Sequence, residues 1–405
     1  MIVAERTHHH PHARDSYHID LNVWTRGRNA IVFVGLVSWV AALAGYFSNP
    51  DRFFQSYLTG FLYFIGVPLG AIFFVMVQYL TGSAWSVPMR RIAENMMVSV
   101  PIAFLLFIPV ALGLDHLYSW TQPEIMKLPV VAVKSGYLNP QWFTIRAGIY
   151  IALWSLWTWR IYSQSVKQDK TGSLEHMHTN SRWSAPGLLM LFLSATLAAW
   201  DWSMSLNPTW YSTIFGIYFL AGSGYVFIAV WTLICLWFRK KHILSHTINV
   251  EHYHDLGKWL FCMTVFWAYI AFSQYLLIWY ANLPEETIYF RQRFEGTWAW
   301  WSWALLIGHF IIPFLALIMR ATKRNVRALM AMALWIMAAH FVDIYWQVMP
   351  TWYHSKGVQL HWLDVACWLA VGSAYALVFW FRVRGSALLP IGDPRFEQGL
   401  HFENM

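Results

Sequence analysis

Two stretches decide how this chain folds: DWSMSLNPTWY at residues 201–211 and DIYWQVMPTWY at residues 343–353. Each sets an aspartate seven residues ahead of the same Pro-Thr-Trp-Tyr, and each closes a long apolar run. A carboxylate inside such a run is costly unless it faces a bundle interior or a water-filled cavity. Its appearance twice in one register points to a duplicated unit whose acid was duplicated with it.

The composition says where that unit lives. Of 405 residues, 58% are hydrophobic and only 12% charged, far from the soluble average. The 27 tryptophans suit the interfacial zones of a bilayer. Ten apolar runs have about the 20 residues that a hydrocarbon layer asks of a helix: 29–47, 53–80, 89–113, 142–164, 185–206, 211–238, 255–282, 297–320, 325–349 and 361–383. The expectation is an all-α integral membrane protein of about ten transmembrane helices. The two Pro-Thr-Trp-Tyr runs are the fifth and the ninth, so they cross in the same direction. That reads as two four-helix bundles related as parallel repeats, about 53–211 and 211–353, with two peripheral helices. The membrane domain spans 28–383, between tails at 1–27 and 384–405. Pro68, Pro101, Pro109 and Pro313 are expected to kink their helices.

Charge sets the orientation. Of 28 lysines and arginines, seven fall on the Pro-Thr-Trp-Tyr side: Arg52, Lys127, Lys134, Arg146, Arg291, Arg293 and Lys356. The remainder lie on the other side, so both termini are expected in the cytoplasm. The net charge of +8 then belongs to membrane loops and not to a nucleic-acid partner. No apolar segment suited to a cleaved signal occurs in the first 27 residues, and THHHPHARDSYH reads as cytoplasmic tail. Cys235, Cys262 and Cys367 stand apart, as small buried hydrophobes. Their spacing argues against an iron–sulfur cluster, a structural zinc site or covalent haem in this chain.

The candidate functional residues are the ionisable groups inside the spans: Asp201, His309, His340, Asp343 and Asp364. His340 stands one turn before Asp343 on the same helical face. Seven residues at helical rise put each repeated aspartate roughly 10 Å inside the Pro-Thr-Trp-Tyr boundary. Glu94, Asp255 and Lys258 lie near span ends, and Gln274, Tyr275 and Gln347 add neutral polar atoms. Desolvation favours the neutral form of carboxylate and imidazole alike, which suits a proton relay. The competing reading is that each acid pairs with a neighbour and only fixes packing, with Asp364 as a helix cap. His309 and His340 on adjacent spans would in principle ligate one b-type haem. Parallel repeats with buried acids also fit a secondary transporter, and a passive scaffold subunit is a third class.

DWSMSLNPTWYSTIFGIYFLAGSGY, HDLGKWLFCMTVFWAYIAFSQYLLIWYANLPEETIYF and HFVDIYWQVMP together resemble the ActF subunits of bacterial alternative complex III. These belong to the NrfD/polysulfide-reductase-like membrane proteins. The resemblance covers roughly residues 30–383. It implies two four-helix bundles with extra helices, in the bacterial cytoplasmic (inner) membrane. It also implies a quinol-oxidising, cytochrome-reducing complex with a sibling NrfD-like subunit, an iron–sulfur protein and c-type cytochromes carrying haem c. Such chains hold no redox cofactor themselves and are proposed to contribute a proton path, here matched by Asp201, His340 and Asp343. Quinone or quinol contact by this chain stays open.

Overall fold

A computed structural model describes residues 17–404; the histidine tract and the start of the N-terminal tail lie outside the described residues. The chain is all-helical, with no strand among those residues. Ten long helical segments follow one another: α1 (Leu21–Ser48), α2 (Pro50–Leu80), α3 (Val87–Leu112), α4 (Pro140–Thr171), α5 (Leu174–Trp202), α6 (Phe215–Lys240), α7 (Val250–Ala281), α8 (Trp298–Ile318), α9 (Val326–Val348) and α10 (Trp362–Gly385). Among the described residues nine helices are long and apolar enough to cross a membrane. The tenth, α4, has 32 residues but carries Arg146, Arg160, Lys167 and Lys170. The protein is a multi-pass membrane protein.

Local chemistry starts and stops these helices. Asn49 and Asn139 accept the backbone N–H groups of Arg52 and Trp142, and Pro50 and Pro140 occupy the first turns. Asp20 caps α1 at Asn22, so that helix begins inside the expected tail. Gly172, at φ 64°, ends α4 in the left-handed conformation that suits glycine.

Two helices make the centre. In α2 and in α6 alike, 83% of the apolar stretch is buried. They pack on each other through small residues: a Cβ at Gly70 would sit 2.6 Å from Phe227 Cβ, and Gly66 faces Ser223. α2 also packs on α3 and α5, and α6 packs in the same way on α7 and α9. The crossed pairs α5 with α6 and α9 with α2 complete the pattern. Two four-helix bundles, α2–α5 and α6–α9, thus meet across their first helices. α1 and α10 form a pair laid against α2.

Prolines act unequally. α2 runs through Pro68 unbroken, whereas α3 is cut into short pieces around Pro101 and Pro109. In α8 the turns before Pro313 widen into a π-helix, Leu305–Ile311. Pro313 has no N–H for the His309 carbonyl four residues back, and the Tyr225 hydroxyl donates to that carbonyl instead (3.4 Å).

The C-terminal segment is not a loose tail. Leu388 N–H donates to the Tyr17 carbonyl, and Leu388, Leu389 and Phe396 are buried. His252 Nε2 meets the Gly399 carbonyl at 3.0 Å. Asp393 enters a buried ionic network at the terminal end of bundle one: 2.6 Å from Arg90 Nη2 and 3.1 Å from Arg395. Arg90 and Arg91 share Glu94 (3.1 and 2.9 Å), and Arg91 reaches Asp169 at 2.8 Å. Three cations meet three anions, so the network is neutral. Burial alone works to raise the Asp393 pKa, but Arg90 and Arg395 outweigh it and hold the carboxyl well below the usual carboxylate range. The stabilisation is therefore complete above the ordinary carboxylate pKa and fades as acid approaches the folded value. Asp393→Asn should cost about 3 kcal/mol by leaving Arg90 short of charge. Thermal unfolding in detergent at pH 7 and pH 4 should show the penalty shrinking at the lower pH.

Candidate functional site

Bundle two gathers three of the sequence candidates. His309 on α8 and His340 and Asp343 on α9 are all at most 2% exposed. The imidazoles lie with ring centroids 5.7 Å apart, and His340 Nδ1 is 3.6 Å from Asp343 Oδ2. Asp343 accepts hydrogen bonds from the Tyr218 hydroxyl of α6 and from Trp267 Nε1 of α7, the latter at 3.1 Å. All four helices of the bundle therefore contribute. Gly222 on α6 makes the room, because a Cβ there would approach His340 Cε1 to 2.8 Å.

Partners are unevenly shared. Both ring nitrogens of His309 and Nδ1 of His340 are buried without a hydrogen-bond partner. Trp267 stands edge-on to His309 at 4.1 Å, Tyr225 lies 4.9 Å from it, and Tyr63 lies 5.3 Å from His340. Those rings pack against the flanks of the histidine pair.

Polar contacts continue from the cluster a short way towards the face that carries the termini. Thr264 donates to Tyr225 Oη (2.8 Å), and Tyr225 reaches the His309 carbonyl. Beyond that the core turns aromatic: Phe74 packs on Trp231 (4.7 Å) and on Trp259 (5.1 Å), and Phe227 stacks on Trp231.

The other two candidates stand apart. Asp201, fully buried, receives Arg146 Nε and Nη2 as a two-pronged pair, both at 2.9 Å, plus the Tyr150 hydroxyl at 3.1 Å. Arg146 itself lies over the Tyr137 ring at 3.8 Å and donates to the Tyr137 carbonyl. Asp364 pairs with Arg52, accepts from Ser56 at 2.6 Å, and closes a capping box at the start of α10 through the His361 N–H. Both carboxylates are fully engaged by fixed cations, the arrangement of a packing lock.

Residues that sequence reading passed over carry much of this. Arg52, Arg146 and Arg293 were counted only as charges of the Pro-Thr-Trp-Tyr side; all three are partnered inside the protein. Arg293 is fully buried on the short helix Pro284–Phe294 and donates to the Trp346 (3.0 Å) and Gln347 (2.8 Å) carbonyls. Trp346 is the residue whose carbonyl Pro350 releases, so the guanidinium takes the place of a missing N–H. Tyr218 and Trp267 were missed as well. Arg146 and Tyr150, four apart on α4, are the one spacing that hinted at a polar face.

The two repeated stretches approach each other, Asn207 Nδ2, just before the first Pro-Thr-Trp-Tyr, lying 3.4 Å from Thr351 Oγ1 of the second. Their rings are not matching interfacial anchors: Trp210 is buried and stacked on Tyr289 at 3.9 Å, while Tyr211 is exposed. Among the cysteines, Cys262 is exposed on α7 instead of buried. Asp255 pairs with Lys258 at 2.6 Å near the terminal end of α7.

Removing either partner of the Asp201 pair should have unequal effects. Arg146→Gln strands a carboxylate that cannot reach water and should cost about 3–5 kcal/mol. Asp201→Asn leaves Arg146, whose side chain is 16% exposed, with the Tyr137 carbonyl and solvent, and should cost less. Adding Asp201→Asn to Arg146→Gln should restore part of the melting temperature, read by thermal unfolding in detergent. No family model matches this chain, and no curated protein is similar to it.

Proposed function

We propose that this chain is an integral membrane subunit of a bacterial respiratory complex that oxidises quinol and reduces a c-type cytochrome, and that it moves protons through bundle two. The observation that carries the reading is the His309–His340–Asp343 cluster. One carboxylate and two imidazoles lie within contact of one another in the membrane interior, and three ring nitrogens have no protein partner. A purely structural acid would be closed by a cation, as Asp201 is by Arg146. Asp343 is closed instead by two neutral donors and an imidazole, so it can gain or lose a proton without stranding a fixed charge.

Within this reading the path comprises Asp343, His340 and His309, with Tyr218 and Trp267 holding the carboxylate in place. Asp201 and Asp364 are locks outside it. The aromatic packing around Phe74 and Trp231 separates the cluster from the terminal face, so protons exchange towards the Pro-Thr-Trp-Tyr face. With both termini cytoplasmic, that face is the periplasmic one. The orientation is supported by charge: Arg52, Lys134, Arg146 and Arg293 are internally partnered, leaving Lys127, Arg291 and Lys356 on that side. An iron–sulfur protein, a sibling NrfD-like subunit and multihaem c-type cytochromes are the partners proposed, and the redox centres would be theirs.

Purification of the native complex should bring down iron–sulfur and haem c subunits; their absence would end the assignment. Asp343→Asn should leave the complex assembled while quinol oxidation in proteoliposomes slows at least about tenfold, the usual contribution of a positioned proton-transfer group being 10²–10⁴-fold. A variant with wild-type turnover and wild-type proton release would remove Asp343 from the path.

A further inference from the structure

α10 packs on α1 and α2, and it meets α6 at the face that carries the termini, where the Trp380 and Trp237 rings lie 5.4 Å apart. Inward of that contact a cavity of about 420 Å³ is left between the α1–α10 pair and the two bundles. We propose that this cavity holds an acyl chain of an anionic glycerophospholipid whose phosphate is bound by Arg28 and Arg384. The site is separate from the proton path and does not depend on it.

The cavity suits a chain. Its lining is almost wholly apolar, with Val67, Leu233, Ile234 and Phe379 among the contributing side chains. Its wall on α10 runs from Trp380 to Gly372, about 12 Å at helical rise. The last turns of α6, from Val230 to Trp237, line it as well, so it lies in the half of the membrane next to the terminal face. Ile31, Leu233 and Met337 are only partly buried, and the cavity opens there on the apolar surface of the protein.

Its terminal end is cationic. Trp24 and Trp380 exchange hydrogen bonds, each indole N–H donating to the other's carbonyl, at 3.0 and 2.8 Å. A Cβ at Gly27 would sit 2.3 Å from the Trp380 ring, so this glycine lets α1 and α10 close there. Two guanidiniums share the Trp24 ring, Arg28 at 5.0 Å and Arg384 at 4.5 Å. The Lys241 ammonium lies 6.0 Å from the Trp237 ring. None of these three cations has a carboxylate partner among the described residues, and Arg28 donates only to the neutral Asn29 amide. Asp20, the nearest acid along α1, is engaged as that helix's cap. The contrast is with Arg90, Arg91 and Arg395 at the same face, each of which is paired with an acid. The trio at the cavity is left for an anion from outside. Guanidiniums grip phosphate through paired hydrogen bonds, and basic pockets between membrane helices suit anionic headgroups. A zwitterionic phospholipid brings its own cation to the site and loses that advantage.

The test titrates the full chain, purified in a non-ionic detergent, with dioleoyl phosphatidylglycerol and counts bound lipid by native mass spectrometry. One phosphatidylglycerol per chain should bind saturably, and phosphatidylcholine with the same acyl chains should bind at least about tenfold more weakly. Arg28→Gln combined with Arg384→Gln should remove that preference, each change alone lowering it about fivefold. Lys127→Gln with Lys356→Gln, on the opposite face, should bind as wild type. Ala376→Trp, which fills the cavity, should abolish the site, and the milder Ala376→Leu should weaken it if the first variant does not fold. Equal affinity of the wild type for the two lipids would overturn the proposal and mark the cavity as an unselective lipid groove. Wild-type binding by the folded Ala376 variants would overturn it as well, by placing the lipid elsewhere. A dimer of the chain in the same spectra, lost in Ala376→Trp, would give the cavity to a second copy and remove the lipid from it.

Discussion

Lipid supplies no hydrogen-bond partner, so each charge and each carbonyl freed by a proline has to be answered from within the protein. Most of the polar chemistry of this chain follows from that constraint. Pro313 releases the His309 carbonyl, and Tyr225 answers it. Pro350 releases the Trp346 carbonyl, and the buried Arg293 answers it. The network of Arg90, Arg91, Glu94, Asp169, Asp393 and Arg395 is neutral as a set, with the last two supplied by the returning C-terminal segment. The fold is less a packing of greasy rods than a set of local settlements of polar groups.

The two repeated aspartates were settled in opposite ways. In bundle one the acid of α5 met a guanidinium from α4, in the planar geometry that holds a carboxylate most firmly. In bundle two the acid of α9 met a phenol, an indole and an imidazole. The π-turn of α8 belongs to the second bundle alone, and it is that turn which carries His309. Widened turns of this kind frequently accompany functional sites, because they re-aim a side chain without breaking the helix. The bundles keep the same helix contacts and have diverged in their centres.

The length and hydrophobicity of the apolar runs made the helices legible, because in lipid they leave few alternatives, and the repeated Pro-Thr-Trp-Tyr pointed to two like bundles. α4 was expected despite its charges, since 142–164 is still a long apolar run between caps. His340 and Asp343 were legible as a pair because three residues is one helical turn. What the sequence could not convey was partnership across helices. Arg146 lies 55 positions from Asp201, and Arg52 lies 312 from Asp364. Counted one by one, such arginines read only as charges of one membrane side. Tyr218 and Trp267 were hidden for a different reason: in a chain with 20 tyrosines and 27 tryptophans, two more aromatic residues carry no signal until a carboxylate is seen between them.

The difference between the two acids is one of reversibility. Protonating Asp201 would leave the Arg146 cation without its anion and with only the Tyr137 carbonyl and partial solvent contact. The guanidinium does not lose its own proton, so the pair can only stay as it is. Around Asp343 there is no fixed cation in hydrogen-bond contact. His340 lies 3.6 Å from Asp343 and His309 one ring further, with both ring nitrogens of His309 and Nδ1 of His340 free of a hydrogen-bond partner. One bundle ties its acid to a fixed cation, and the other holds its acid with neutral donors and an imidazole.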